Sequence, residues 1–294
     1  MYYRRKILLG LLQAFDNNLE KIKLQKLLFL LSRFQKKSCY YFVPYKYGCY
    51  SFQSISDINT LEKYNIIVQN SNTVSCKADV DYLQQLTIID KKAILDLKKV
   101  YGDRTSNELT KSTYISHPYY AINSLIAKNI LSEDQYQKVL DAKPRKNKTV
   151  LFTIGYEGIS LEEYLNKLIQ KDIKLLCDVR NNALSMKYGF SKTQLKNACE
   201  CVGIDYMHIP EVGIHSEHRQ ELNTQKDYDN LFLEYRKTTL ANTSDIQKNI
   251  FALMLKYNRI ALTCFESNIC QCHRKPLAES ISDLEGFKYE VRHI

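Results

Sequence analysis

Apolar positions recur at helical spacing in two leucine-rich stretches near the start of the chain, YYRRKILLGLLQAF (residues 2–15) and EKIKLQKLLFLLSRFQ (20–35). Each predicts an amphipathic helix. The pattern then turns aromatic and extended in CYYFVPYKYGCYS (39–51), returns to helical spacing in SISDINTLEKYN (54–65), and ends in two short β-branched runs around an Asn-Ser-Asn turn, IIVQNSNTVSCKA (66–78). Helices followed by a two-stranded wing predict a winged helix-turn-helix over residues 1–141, a fold that sets a helix in a DNA groove.

After residue 150 the pattern changes. Runs of strand length alternate with amphipathic helices: KTVLFTI, then SLEEYLNKLIQKD; KLLCDV, then SKTQLKNACECVG; DYMHIP, then helices within 227–257; RIALTCF, then KPLAESISDL; and a last strand, YEVRHI. The alternation therefore predicts an α/β domain over 150–294, a parallel sheet between two helical layers. Between the halves, AKPRKNKTV is short, polar and basic with one proline, which predicts a linker at 142–149.

Charge sharpens the contrast. Residues 1–148 carry 24 Lys and Arg against 13 Asp and Glu, while residues 149–294 carry 18 against 19. The whole excess of the +10 net charge lies in the first half, and residues 1–50 hold 10 basic and 2 acidic side chains. Such a face is expected to meet phosphate, with DNA as the partner and Lys23, Lys26, Arg33, Lys36, Lys37 and Lys46 as the contacts; a solvated basic face that aids solubility is the other reading. The nine cysteines are odd in number and fall mostly in apolar strands, which fits reduced thiols in a cytoplasm. No stretch approaches the roughly 20 apolar residues of a membrane span, and the opening segment carries no cleavage pattern.

In an open parallel sheet, ligands bind beyond the carboxyl ends of the strands. Four of the expected strands end in polar residues: GYEG (Gly155, Tyr156, Gly158), DVRN (Asp178, Arg180, Asn181), HIPEVG (His208, Glu211) and CFESNICQCHRKPLAES (residues 264–280). The last of these offers Cys264, Cys270, Cys272 and His273 as a four-ligand zinc set. Cys272 and His273 are adjacent and there is no C-x-x-C knuckle, so no metal and no cofactor are expected. An anion pocket is expected instead: the helix beginning at RKPLAES, Arg274, Arg180 and Lys187 would hold a phosphate, with the backbone of Gly155, Tyr156 and Gly158 close by. In that field the Cys272 thiol would ionise more easily and become a nucleophile; packing under the loop is the alternative. Asp178, Glu266, His208 and His273 are open to proton transfer or to holding the pocket together.

These residues also resemble a family. TIGYEG, LLCDVRNN, SMKYGFSK, HIPEVG, YDNLFLEYR, CFE and CHR with LAESI look like the DUF488 family along residues 150–294. The resemblance implies a fold and a site more than a reaction. Its shared polar positions fall on Asp178, Arg180, His208, Glu211, Cys264, Glu266, Cys272, His273 and Arg274. Where the family commonly carries an arginine after DVR, this chain has Lys187 in NNALSMKYGF. Residues 1–130, through KLQKLLFLLSR and STYISHPYYAI, resemble the winged-helix domains fused to bacterial enzymes and the antitoxin-like Panacea domains. Together these imply a nucleic-acid-associated protein that binds and processes a nucleotide or phosphate-bearing group. A non-catalytic nucleotide-sensing regulator and an interaction module of a defence or toxin–antitoxin system are the alternatives.

Overall fold

The structure, a computed structural model, describes residues 1–77, 79–215 and 222–294. The chain divides into two compact units, Met1–Lys143 and Pro144–Ile294.

In the first unit, α1 (Tyr3–Ala14), β1 (Asn18–Glu20) and α2 (Lys21–Ser32) precede a small antiparallel pair, β2 (Val43–Tyr45) and β3 (Gly48–Tyr50). Then come α3 (Phe52–Lys63) and the hairpin β4 (Ile67–Gln69) and β5 (Thr73–Cys76). β1 pairs antiparallel with β5, making a three-stranded sheet in the order β1-β5-β4. The leucines of α1 and α2 form the core with Ile58, Leu61, Ile67 and Val74. β1 is too short to show a period in the sequence. It exists because Leu19 is buried and its backbone completes the sheet. Four further helices, α4 (Ile88–Tyr101), α5 (Ser106–Ser116), α6 (Ala127–Ile130) and α7 (Glu133–Ala142), complete the unit. The starts of α5 and α7 are fixed by capping boxes, Thr105 with Glu108 and Ser132 with Gln135.

The second unit is a mixed α/β structure around a five-stranded parallel sheet. Its strands are β6 (Val150–Gly155), β7 (Leu175–Asp178), β8 (Asp205–His208), β9 (Arg259–Cys264) and β10 (Glu290–His293), in the order β10-β6-β9-β7-β8. β9, last but one in sequence, is the central strand and is buried along its whole length. The first two crossovers, through α8 (Leu161–Gln170) and α9 (Lys192–Cys201), step one way across the sheet. The next two, through α10 (Gln225–Tyr235), α11 (Ser244–Tyr257) and α12 (Arg274–Ser282), step back. Right-handed crossovers therefore put the two sets of helices on opposite faces. Leu151, Leu175, Cys177, Ile260 and Leu262 pack on one face against Ile250 and Met254 of α11 and Leu277 and Ile281 of α12. On the other face Tyr164 of α8 donates its hydroxyl to Thr263 at 2.8 Å. The connections after β6 and β9, neighbours in the sheet, leave in opposite directions, and a crevice opens at their carboxyl ends. Among the described residues no helix is long and apolar enough to cross a membrane.

Candidate functional site

A cavity of about 340 Å³ lies over the carboxyl ends of β6, β7 and β9, lined by Tyr156, Arg180, Asn181, Asn182, Leu184, Ser185, Met186, Ile214, Cys264 and Phe265. A smaller cleft of about 160 Å³ adjoins Glu266, Gln271, His273 and Tyr228, and Ile214 borders both. The loops are laced together by backbone: the amides of Tyr156 and Glu157 donate to Phe265 O at 3.1 and 2.9 Å. Glu157 also accepts from the amide and hydroxyl of Ser267, both at 3.0 Å. Gly155 is required here, since a Cβ would stand 1.9 Å from the Glu266 carbonyl oxygen.

Arg180 takes the pocket-holding alternative, paired with Asp178, while Arg274 takes a role that sequence reasoning did not assign. Arg180 is held by Asp178, its Nε donating to Oδ1 at 2.8 Å and its Nη2 to Oδ2 at 2.5 Å. Its Nη1 donates to the Tyr156 hydroxyl (2.7 Å) and to Phe190 O (2.9 Å). Burial works against the Arg180 charge, but the hydrogen bonds and attraction of Asp178 outweigh it and raise its pKa. Asp178 is fully buried and accepts a further bond from Tyr206 at 2.6 Å, which makes it the counter-charge of Arg180 rather than a proton shuttle. Arg274 is buried, lines neither cavity, and donates to the carbonyls of Glu266 and Ser267, the latter at 3.3 Å. The expected clamp of two guanidinium groups on one anion is thus not assembled. Charged groups under a loop are held by whatever acceptors the loop offers, and the backbone carbonyls reach Arg274 first.

The remaining expected residues sort by burial. Lys187 sends its ammonium to Tyr156 O at 2.5 Å, and burial lowers its pKa. His208 meets Arg180 O at 2.8 Å through Nε2, Glu211 is exposed in a turn after β8, and Gly158 has a positive φ with open space around it. Tyr156 is buried and stacks on Phe190 with ring centres 4.2 Å apart. Asn182, Ser185, Ile214 and Phe265 line the larger cavity without having been singled out in the sequence. Asn182 alone left a trace, since it follows directly on the DVR motif.

The CFES and CHR segments close on each other at the end of β9. Cys264, Cys272 and His273 are each about 1 % exposed, and their ligand atoms all lie within 4.8 Å of one another. Cys264 Sγ is 3.6 Å from His273 Nδ1 and donates to Glu266 Oε2 at 3.1 Å; His273 Nε2 bonds Val179 O at 2.9 Å. Residues poorly spaced for metal ligation along the chain thus stand together in the fold. Adjacent residues converge because Cys272 is extended (φ −129°, ψ 134°) while His273 is already helical (φ −62°, ψ −17°). Cys270, counted with them in the sequence, is exposed. The expected lowering of the Cys272 pKa is reversed. Burial pushes this thiol well above its ordinary value, assisted by Cys264 and Glu266, and Arg274 only partly offsets the rise.

A family model, the domain of unknown function DUF488, matches residues 160–281. The second unit carries a DUF488 domain. The matched span runs from the cap of α8 to the last turn of α12. It contains every residue of the sulfur and imidazole cluster, the Asp178–Arg180 pair and all of the larger cavity except Tyr156. No curated protein matches the chain.

In the first unit the basic residues divide in the same way. Lys26 is 1 % exposed and donates to Tyr47 O, with its ammonium 5.9 Å from the Tyr114 ring centre, so it is not available to phosphate. Lys23 is half-buried and donates to Gly102 O at 3.0 Å. Arg33, Lys36, Lys37 and Lys46 are exposed. Lys36 and Lys37 border a cleft of about 520 Å³ shared with Tyr2, Tyr3 and Arg4. α3 carries a single basic residue, Lys63, so the available positive charge follows the end of α2 instead.

Proposed function

We propose that the DUF488 domain binds and processes a nucleotide in the cavity over β6, β7 and β9, and that the basic first unit, acting as a winged helix, associates the protein with nucleic acid, DNA foremost. The observation that carries this reading is the cavity itself. It sits where α/β sheets bind ligands and is lined by the polar residues Asn181, Asn182 and Ser185 beside Cys264 and Phe265. Asn181 Nδ2 donates to Pro210 O at 3.4 Å, and Asn182 Oδ1 and Ser185 Oγ accept from the Leu184 and Lys187 amides, which leaves the other polar atoms of the two side-chain amides for a ligand. Because Arg180 is neutralised by Asp178 and Lys187 is turned onto Tyr156 O, the donors facing the cavity are mainly neutral. Neutral donors and acceptors beside apolar walls suit a base and sugar better than a bare phosphate. Nucleoside triphosphates, diphosphates and inorganic phosphate titrated into the full chain by calorimetry test this. A nucleotide is expected to bind at least tenfold more tightly than phosphate, and Asn181→Ala with Asn182→Ala is expected to remove about 1–3 kcal/mol of that affinity. Equal affinity for phosphate and nucleotide, unchanged in the double variant, would reject the reading. Tight binding without turnover would instead favour a nucleotide sensor.

For the first unit the exposed cations set the expectation. Changing Arg33, Lys36 and Lys37 together to alanine is expected to weaken binding to duplexes of any sequence and to reduce the slope of log K against log salt by up to about 0.9 per lost contact. Lys26→Ala should alter stability but not the slope, because its ammonium is buried on a carbonyl. Binding that does not respond to salt would rule out a phosphate interface.

A further inference from the structure

We propose that Cys264, Cys272 and His273 form a binding site for a zinc-class divalent ion, with the fourth position beside Glu266 and open toward the clefts. The inference is independent of what the larger cavity takes. Its first support is geometric. A tetrahedral zinc with Zn–S of about 2.3 Å and Zn–N of about 2.0–2.1 Å separates a sulfur ligand from a nitrogen ligand by about 3.5 Å. Cys264 Sγ and His273 Nδ1 stand 3.6 Å apart, and Cys272 Sγ completes a triangle in which no side exceeds 4.8 Å.

The second support is the way the imidazole is held. His273 Nε2 bonds the backbone carbonyl of Val179, which accepts only, so the proton is on Nε2 and the Nδ1 lone pair points to the sulfurs. Metal-ligating histidines are oriented in this manner by an outer carbonyl or carboxylate. Two thiols and an imidazole form a soft donor set that selects zinc over magnesium or calcium.

The surroundings favour an ion over the rival uses of the same atoms. A single zinc-class ion would use both sulfurs and the imidazole as ligands, whereas a cysteine nucleophile paired with a histidine would use one sulfur and leave the other to packing. Glu266 lies against Cys264 at 3.1 Å but outside the mutual cluster of three. The arrangement is three protein ligands with a carboxylate beside the fourth position, the pattern of zinc centres that keep a place for water or a substrate atom. That position has access, since Cys264 borders the larger cavity and Glu266 and His273 the smaller cleft.

Elemental analysis of the purified full chain should find about one zinc per chain. After chelation, cobalt titrated into the same protein should produce the sulfur-to-cobalt charge-transfer band and the intense visible bands of a tetrahedral site, both reversed by zinc. Cys264→Ser and Cys272→Ser should each weaken zinc binding by at least about tenfold, while Cys270→Ser, at an exposed thiol, should leave it unchanged. Zinc should also raise the melting temperature of the metal-free wild type, which needs no variant to fold. A folded wild-type chain that takes up substoichiometric zinc and gives no cobalt spectrum overturns the proposal. So does a zinc content unaltered in the Cys264→Ser/Cys272→Ser double variant, or recovery of the native chain with a Cys264–Cys272 disulfide.

Discussion

Asp178→Ala is expected to destabilise the DUF488 unit by about 3–5 kcal/mol, the usual result of removing one partner from a buried ion pair. The aspartate is fully buried and Arg180 about 5 % exposed, so water cannot replace the carboxylate. Four donors converge on it: Nε and Nη2 of Arg180, the Arg180 amide at 3.3 Å and the Tyr206 hydroxyl. Losing it leaves a guanidinium charge facing Tyr156 and Phe190 without a counter-ion. The double variant Asp178→Ala/Arg180→Met removes both charges and should recover a large part of the loss, because most of the cost is the stranded charge rather than the missing attraction. Urea unfolding of the full chain, with hydrogen exchange followed across residues 174–180 to assign the transition, measures both. A single-variant loss under about 1 kcal/mol, or a double variant as unstable as the single, would contradict this account of the pair.

Arg274→Ala is expected to cost about 2–4 kcal/mol and to displace the CFES loop. Two charge-assisted bonds to the Glu266 and Ser267 carbonyls are lost, each worth about 1.5–3 kcal/mol. The gain is discounted because Arg274 Nε is buried without a hydrogen-bond partner, so the native side chain already carries a desolvation cost. Arg274 is a positioning residue: it holds the loop from which Glu266 reaches Cys264. Its loss should therefore change zinc affinity and the cobalt spectrum as well as stability, which a residue that only fills space would not do. Arg274→Lys should not restore the spectrum, since one ammonium cannot span two carbonyls with the guanidinium's fixed fork. A variant of native melting temperature and unaltered cobalt spectrum would show that the loop holds itself.

Much of the second unit was legible in the order of its residues. The runs VLFTIG, LLCD and RIALTC are buried at every residue and can exist only where both faces are covered, while DYMH and EVRH lie at the two edges of the sheet and are largely exposed; the helices between them show one apolar stripe each. Alternation of the two admits little besides a parallel sheet, and the polar residues closing each run mark the edge where ligands gather. The first unit was read less completely. Along α4 only Ile94 and Leu97 are buried and along α7 only Val139, and β1 is three residues long. Their positions depend on tertiary partners.

The type of each element and the edge of the sheet that carries the site follow from hydrophobic period and strand polarity, which are local properties of the chain. What the side chains do there does not. Lys26 reads as an exposed cation at helical spacing, yet α2 is covered so closely that its ammonium meets only the Tyr47 carbonyl and the Tyr114 ring. Arg274 reads as a phosphate ligand, yet Gly155 lets the Glu266 carbonyl approach close enough to take it. Cys272 and His273 are adjacent, a poor spacing for metal ligands along an extended chain. They converge on Cys264 because the end of a strand and the start of a helix meet there with different backbone angles. Hydrophobic period determines which segments are buried and against what kind of layer. Partner choice among buried polar groups depends on separations of a few ångströms between elements distant in sequence, and only the packed structure decides those.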